Sequence, residues 1–327
     1  MVQIEVSKIR FIKLGESGEY EKDCLINNTI RIGYSTGDLD KDEEIHQQCL
    51  KGNWKPCEDF WFEKAKSAKK ASNSATDRIR QIKEFYNGDE KCLWITFYGR
   101  KLYWAFCDST VHLDEDQTRW RKVKSNGGKW SCLDRKGNEL TIDNLDGRVT
   151  KVQGYRGTIC GVEMEDYLIR RINGEVIEEI TEAENAYDTL INSVEKLIKG
   201  LWWGDFELLV DLVFSRLGWQ RYSVLGKTQK GIDLDLYSPS TEDRVFVQIK
   251  SNTNIKQLDE YISKFKNEYN SDEYSKMYYI YHSGLENINE DQVNNYPAKG
   301  IKLINCHKMA KLVIRAGLVE WLIKKRS

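Results

Sequence analysis

The sequence predicts two domains of different class. A β-rich, barrel-like domain is expected over residues 1–162, and an α/β domain with a mixed central sheet flanked by helices over 201–327. A helical connector at 163–200 joins them. Three observations carry this. Short strand-like runs with Gly-containing turns fill most of the first half. An amphipathic stretch follows, its apolar residues spaced by three or four. The last third then reads helix, three strands, helix, two strands, helix.

The chain of 327 residues is long enough for two cores. It is 40% apolar and 31% charged with 3 Pro, the composition of a soluble globular protein. A net charge of -1 gives no global positive field, so any polyanion would have to be held by local patches. No apolar run approaches the roughly 18 residues of a membrane span, and the first 15 residues lack a signal-peptide core. The eight cysteines are scattered with no CxxC pair, and there are four histidines. This argues against a Cys/His metal site and for reduced thiols in a cytoplasmic protein.

In order, Val2 to Leu14 and Thr29 to Tyr34 are expected as strands, Ser35 to Glu44 as an acidic loop, and Phe60 to Tyr86 as a helical segment. Lys64 to Lys83 carries seven Lys/Arg and one acid, most simply a solvated basic face. Two hydrophobic strands follow, Lys91 to Phe97 and Leu102 to Cys107, separated by a turn at Tyr98-Gly99-Arg100-Lys101. Short strands around one helical insertion suggest a small barrel or curled sheet. Six of the ten tryptophans lie between Trp54 and Trp130, and residues 117–156 carry ten Lys/Arg against four Asp/Glu. Trp94 and Trp104, inside strong strands, are expected in the core. Trp54, Trp61, Trp120 and Trp130, with Arg119, Arg121 and Lys122, lie in polar stretches. They are candidates to stack a base while holding phosphates.

Met164 to Lys199 turns helical in two pieces broken near Asn173-Gly174, and Gly200 ends the run. The C-terminal domain is expected as a helix at 203–217, strands near 219–225, 232–237 and 244–251, a helix at 255–268, strands at 277–281 and 301–304, and a helix at 306–325. Its centre is Gly231 to Ser251. Val245, Val247 and Ile249 alternate with Phe246, Gln248 and Lys250, so Gln248 and Lys250 point the same way. Asp233 and Asp235 share a face of the preceding strand, and a hairpin brings that face beside Gln248 and Lys250. A carboxylate, an amide oxygen and a lysine converging on a sheet face suit one hard divalent cation and a water. Taken alone, the pattern also fits an ordinary polar hairpin. His282 and His307 are read as structural or surface residues.

This arrangement resembles the PD-(D/E)xK nuclease superfamily, most closely its Mrr-like restriction endonuclease branch, in which the last motif reads QxK as Gln248-Ile249-Lys250 does. Trp203 to Trp219, with Phe206-Glu207 and the closing Leu217-Gly218-Trp219, resembles the first helix of that family. The likeness covers roughly residues 200–327. It implies a restriction-endonuclease-like core and a Mg²⁺-dependent (or Mn²⁺-dependent) DNA endonuclease of restriction type. Asp233, Gln248 and the backbone carbonyl of Ile249 would be metal ligands. Glu207 would reach the metal through water, and Lys250 would orient the attacking water or stabilise charge on the phosphate. Gln248 supplies no negative charge, so weaker metal binding is expected than at a two-acid site. Asp235 is a helper ligand or a polar strand position.

The first half weakly resembles the PUA-like barrels, EVE and related modified-base readers. The expected partner is therefore double-stranded DNA, with or without modified bases, and a homodimer on DNA is expected for double-strand cleavage. The alternatives are a conventional restriction enzyme reading unmodified sequence, and a non-cleaving DNA-binding protein on a degenerate nuclease scaffold.

Overall fold

The computed structural model describes residues 3–68, 72–222, 232–268, 274–285 and 300–327. It divides into two compact units, Met1–Ile177 and Glu178–Ser327. The stretch expected as a separate connector is split between them. Glu165–Asn173 belongs to the first unit and Glu178–Lys199 to the second.

The first unit runs β1 (Lys8–Ile12), α1 (Glu21–Asn27), β2 (Thr29–Ile32), α2 (Leu39–Leu50), α3 (Lys55–Ser67), α4 (Ser72–Tyr86), β3 (Cys92–Tyr98) and β4 (Lys101–Phe106). It continues with β5 (His112–Leu113), β6 (Arg119–Lys122), the single turns α5 (Ser125–Gly128) and α6 (Gly147–Thr150), β7 (Ile159–Gly161) and α7 (Glu165–Asn173). One sheet has the order β4-β3-β1-β7 and a second has β2-β6-β5. Among the described residues neither closes on itself, so the expected barrel is not shown: β4 does not pair with β7, and its far side bridges instead to Ser131 and Thr141.

The reason lies in the pairing of β1 with β3. It is parallel, so the chain must cross over between them. The crossover is occupied by α2, α3 and α4, which build a core of their own from Ile45, Cys49, Cys57, Trp61, Ala75, Ile79 and Ile82. Two sequence expectations fail here. The supposed loop at Ser35 to Glu44 starts α2, because the Asp38 side chain accepts a hydrogen bond from the Lys41 amide (3.2 Å) as an N-cap. The single helix from Phe60 is two helices, the first opening earlier with Pro56 in its first turn. The β3–β4 hairpin is as expected. Gly99 (φ 56°) and Arg100 (φ 62°) both take the left-handed conformation that a two-residue type I′ turn requires.

Strand alternation gives the four-stranded sheet two apolar faces. Ile9, Phe11, Leu93, Ile95, Leu102 and Trp104 pack with Leu168 and Ile172 of α7. Ile12, Trp94 and Ala105 face Phe85 of α4 and Ile30 and Ile32 of the smaller sheet. Trp94 and Trp104 are core residues, as expected.

The second unit runs α8 (Glu178–Lys199), α9 (Trp203–Arg216), β8 (Gln220–Arg221), β9 (Leu234–Tyr237), β10 (Arg244–Asn252), α10 (Ile255–Glu268), β11 (Lys276–Ser283) and β12 (Ile301–Ile304). The helices Cys306–Arg315 and Val319–Arg326 follow. The last pair was expected as one helix; Gly317 (φ 68°) breaks it. Residues 223–225 of the strand expected near 219–225 lie outside the described residues. The sheet order is β12-β11-β10-β9-β8, parallel from β10 to β12 and antiparallel through β9 and β8, so it is mixed as predicted. Val245, Val247 and Ile249 of the central β10 pack into the core formed with α8, α9 and Cys306–Arg315. Phe246 turns the other way, into the core that includes Leu258 and Ile262 of α10. Both faces are covered, which is why β10 is almost continuously buried.

Candidate functional site

The antiparallel register pairs Val247 with Leu234 and Phe246 with Asp235, which sets Asp233, one residue ahead of β9, opposite Gln248. The side chains meet there. Gln248 Nε2 donates to Asp233 Oδ2 (2.5 Å), and the Ile249 amide donates to the same oxygen (2.6 Å). Among the described residues, Oδ1 has no hydrogen bond. Burial raises the Asp233 pKa against the lowering effects of the Ile249 N–H, the Lys250 charge and Gln248. Glu207, on α9, is also raised, by burial and then by the negative charge of Asp233, with Lys250 opposing. Asp233, Glu207 and Lys250 are therefore electrostatically coupled. Lys250 itself lies with Nζ 5.2 Å from the centre of the Tyr261 ring.

Asp235 is elsewhere. Its carboxylate is taken by Arg244 in a two-point pair (Nε–Oδ1 3.0 Å, Nη2–Oδ2 2.5 Å), and the Tyr274 hydroxyl approaches Oδ2 at 3.4 Å. The Arg244 guanidinium also lies over the Tyr222 and Tyr274 rings, at 4.2 and 4.8 Å. Phe246, not Gln248, is its cross-strand neighbour. The pair locks the start of β10 to β9, one step removed from the Asp233 cluster.

A divalent metal fits the cluster on one observation. Gln248 is 1% exposed and its Oε1 has no hydrogen-bond partner among the described residues. A buried carbonyl oxygen beside a carboxylate is costly unless a water or a cation takes it up. No three His, Cys, Asp or Glu side chains gather as a metal cluster among the described residues. Ile249 meets Asp233 through its N–H.

The base-binding candidates separate. Arg121 is fully buried and donates to the carbonyls of Phe85 (3.0 Å), Gly88 (2.7 Å) and Asp108 (2.7 Å). Arg119, 3% exposed, pairs with the fully buried Asp42 at 2.8 Å. Trp130 is in the core, its indole N–H given to the Thr29 carbonyl (3.0 Å). Trp61 is 4% exposed and Trp54 packs beside it. Trp120 is half-buried and stacked on His112 (4.2 Å, 21°), and Lys122 is exposed. The structure does not gather these seven residues on one surface.

What the sequence reading missed is a cavity of about 580 Å³ in the first unit, whose lining includes Lys13, Tyr34, Trp61, Lys64, Arg78 and Arg156. Tyr34 meets Trp61 edge to face at 6.1 Å, and the Arg78 guanidinium covers the indole at 5.0 Å. Tyr34 (φ 61°) and Ser17 (φ 56°) line it in left-handed conformations, the kind of backbone strain that clusters at binding sites. The basic run from Lys64 to Lys83 was the visible signal for it.

Residues 198–313 match the Mrr_cat family model, described as restriction endonuclease. No curated protein matches the chain. Among solved structures, the DNA modification-dependent restriction endonuclease AspBHI aligns at 12% identity and TM-score 0.30, over 72% of this chain and 68% of that one. The MspJI restriction endonuclease in complex with a 27-mer oligonucleotide aligns at 12% identity and TM-score 0.27, over 76% of this chain and 68% of that one. At that similarity neither alignment transfers a site or a substrate.

Proposed function

From a chain whose residues 198–313 form a restriction endonuclease domain, the catalytic part of an endodeoxyribonuclease, we propose a Mg²⁺-dependent enzyme that hydrolyses phosphodiester bonds in double-stranded DNA. Mn²⁺ would substitute for Mg²⁺. Asp233, Gln248 Oε1 and the Ile249 carbonyl would hold the ion, with Glu207 reaching it through water. When bound, such an ion lowers the pKa of a water and neutralises charge on the phosphate. The chain's own contribution is positional. The Ile249 N–H and Gln248 Nε2 fix the Asp233 carboxylate, and Lys250 offers a fixed positive charge to the attacking water or the phosphate oxygen. The observation that carries this reading is the unpartnered Gln248 Oε1 beside Asp233.

The first unit is proposed to direct cutting to DNA that carries a modified base. Support comes from the aromatic cavity at Tyr34 and Trp61, whose cations Lys13, Lys64, Arg78 and Arg156 suit the phosphates of a flipped nucleotide. Cutting both strands from one site per chain would take two copies on the DNA. The missing second acid favours one other reading, a DNA-binding protein that does not cut.

Matched modified and plain DNAs, with Mg²⁺ or EDTA, test all of this. Mg²⁺-dependent cutting of modified DNA alone is expected. Equal cutting of both would leave a conventional restriction enzyme, and binding without cutting would leave the scaffold.

A further inference from the structure

α9 opens on two adjacent indoles that the core does not use. Trp202 is 62% exposed and Trp203 56%, with ring centres 4.8 Å apart. Neither is floppy. The Trp202 ring lies against Gly204 so closely that a Cβ there would meet it at 2.4 Å. The segment just before them is tied down by the C-terminal helix: Arg326 Nη1 donates to the Gly200 carbonyl (2.5 Å), and Lys325 Nζ reaches Asp205 (2.7 Å). The last turn of that helix, Lys324, Lys325 and Arg326, is exposed, as is Lys199 at the end of α8. Arg326 and Lys325 are thus tied to the residues that flank the indoles, and Lys325 is paired with Asp205. Trp203 and Glu207 stand four residues apart on α9, so they share a helix face one turn from each other.

We propose that Trp202, Trp203 and the basic turn Lys324–Arg326 form a strand-binding platform, with an indole stacking on a base and the cations on the flanking phosphates, one helical turn from Glu207. The proposal rests on the nuclease reading for its choice of DNA, and charge complementarity is what favours a polyanion over an apolar partner. Aromatic faces combined with a positive rim are the recurrent solution for holding a strand without reading its sequence. The platform would therefore add affinity that is indifferent to base modification.

The test is equilibrium binding of a fluorescent duplex and of its single strand to the full chain in EDTA, across a range of KCl. Trp203→Ala and Trp202→Ala are each expected to weaken binding about 10-fold, with Trp203→Phe restoring most of it. Lys324→Gln/Lys325→Gln/Arg326→Gln should flatten the log Kd against log salt slope by about 2 to 3, at roughly 0.9 per lost phosphate contact. Urea midpoints check that the variants fold. Unchanged affinity and slope in folded variants, or a wild type that binds no DNA even at low salt, overturns the proposal. So does a fall in sedimentation mass with unchanged binding per chain, which would make the face an interface with a second copy. If wild type binds through these residues yet cuts nothing with Mg²⁺, the nuclease reading fails and the platform stands. If it cuts and the variants bind normally, only the platform fails.

Discussion

Gln248→Glu restores the acid that the QxK motif lacks, and the structure says what that costs. In the wild type Gln248 donates to Asp233 Oδ2 at 2.5 Å. In the variant two carboxylates face each other in a largely buried site. Even if they relax to about 4 Å, their repulsion is about 4 kcal/mol at an effective dielectric of about 20. One of the pair therefore keeps its proton well above the ordinary carboxylate range. Because the folded pKa is raised, the native state binds the extra proton. Metal-free stability should equal wild type near pH 4, then fall as pH rises, by up to about 4 kcal/mol. Mg²⁺ or Mn²⁺ should reverse the loss, because the added charge becomes a ligand and tightens the site. Urea unfolding from pH 4 to 8, with EDTA or with metal, reads both effects. A variant as stable as wild type in EDTA at pH 8, and no better at binding metal, would refute the argument that this pair is the metal site.

Four further outcomes are expected. Lys250→Ala should lower cleavage about 100-fold or more while metal-free DNA binding changes little; near-wild-type cutting would remove Lys250 from the chemistry. Burial raises the pKa of both Asp233 and Glu207 from their ordinary values, so protons compete with metal. Mn²⁺ affinity should rise with pH until both are ionised, and a flat titration from about pH 4, near the ordinary carboxylate value, upward would count against them. Asp233→Asn should stabilise the metal-free protein above the normal Asp pKa while abolishing metal binding, the sign dictated by a raised folded pKa. Arg121→Met strips three buried carbonyls of their donor and should destabilise the first unit by about 3–5 kcal/mol in urea, regardless of DNA.

The second unit was legible because its determinants are local. The alternation along Val245 to Lys250 names both faces of β10, and the short polar turn before it dictates an antiparallel partner whose register places Asp233 beside Gln248. The fate of Asp235 was not legible, since a carboxylate on a strand is indifferent to whether a metal or Arg244 takes it up. The first unit failed for a related reason. Nothing in Lys8–Ile12 or Cys92–Tyr98 announces that they pair in parallel, and that single non-local choice sets a helical crossover where a barrel was expected. Arg119 and Arg121 sit in a basic stretch and read as surface. Only the partners, Asp42 at one and three carbonyls at the other, reveal them as buried struts. Their alternation in a four-residue strand placed both on the inward face, with Trp120 and Lys122 outward.

The position of β10 has a consequence for how the domain comes apart. Val245 to Val247 are paired on both sides, with β9 and with β11, while from Gln248 onward the β11 pairing alone continues; both faces of the strand are covered. Edge strands such as β8, two residues long, can open and close without disturbing it. The amides of Val245 to Val247, immediately ahead of Gln248, should therefore be among the slowest in the domain to exchange with deuterium, released only by global unfolding. A catalytic motif threaded through the last element to let go cannot be switched off by local fraying. Control of such an enzyme has to act on access to DNA or metal, not on the integrity of the site.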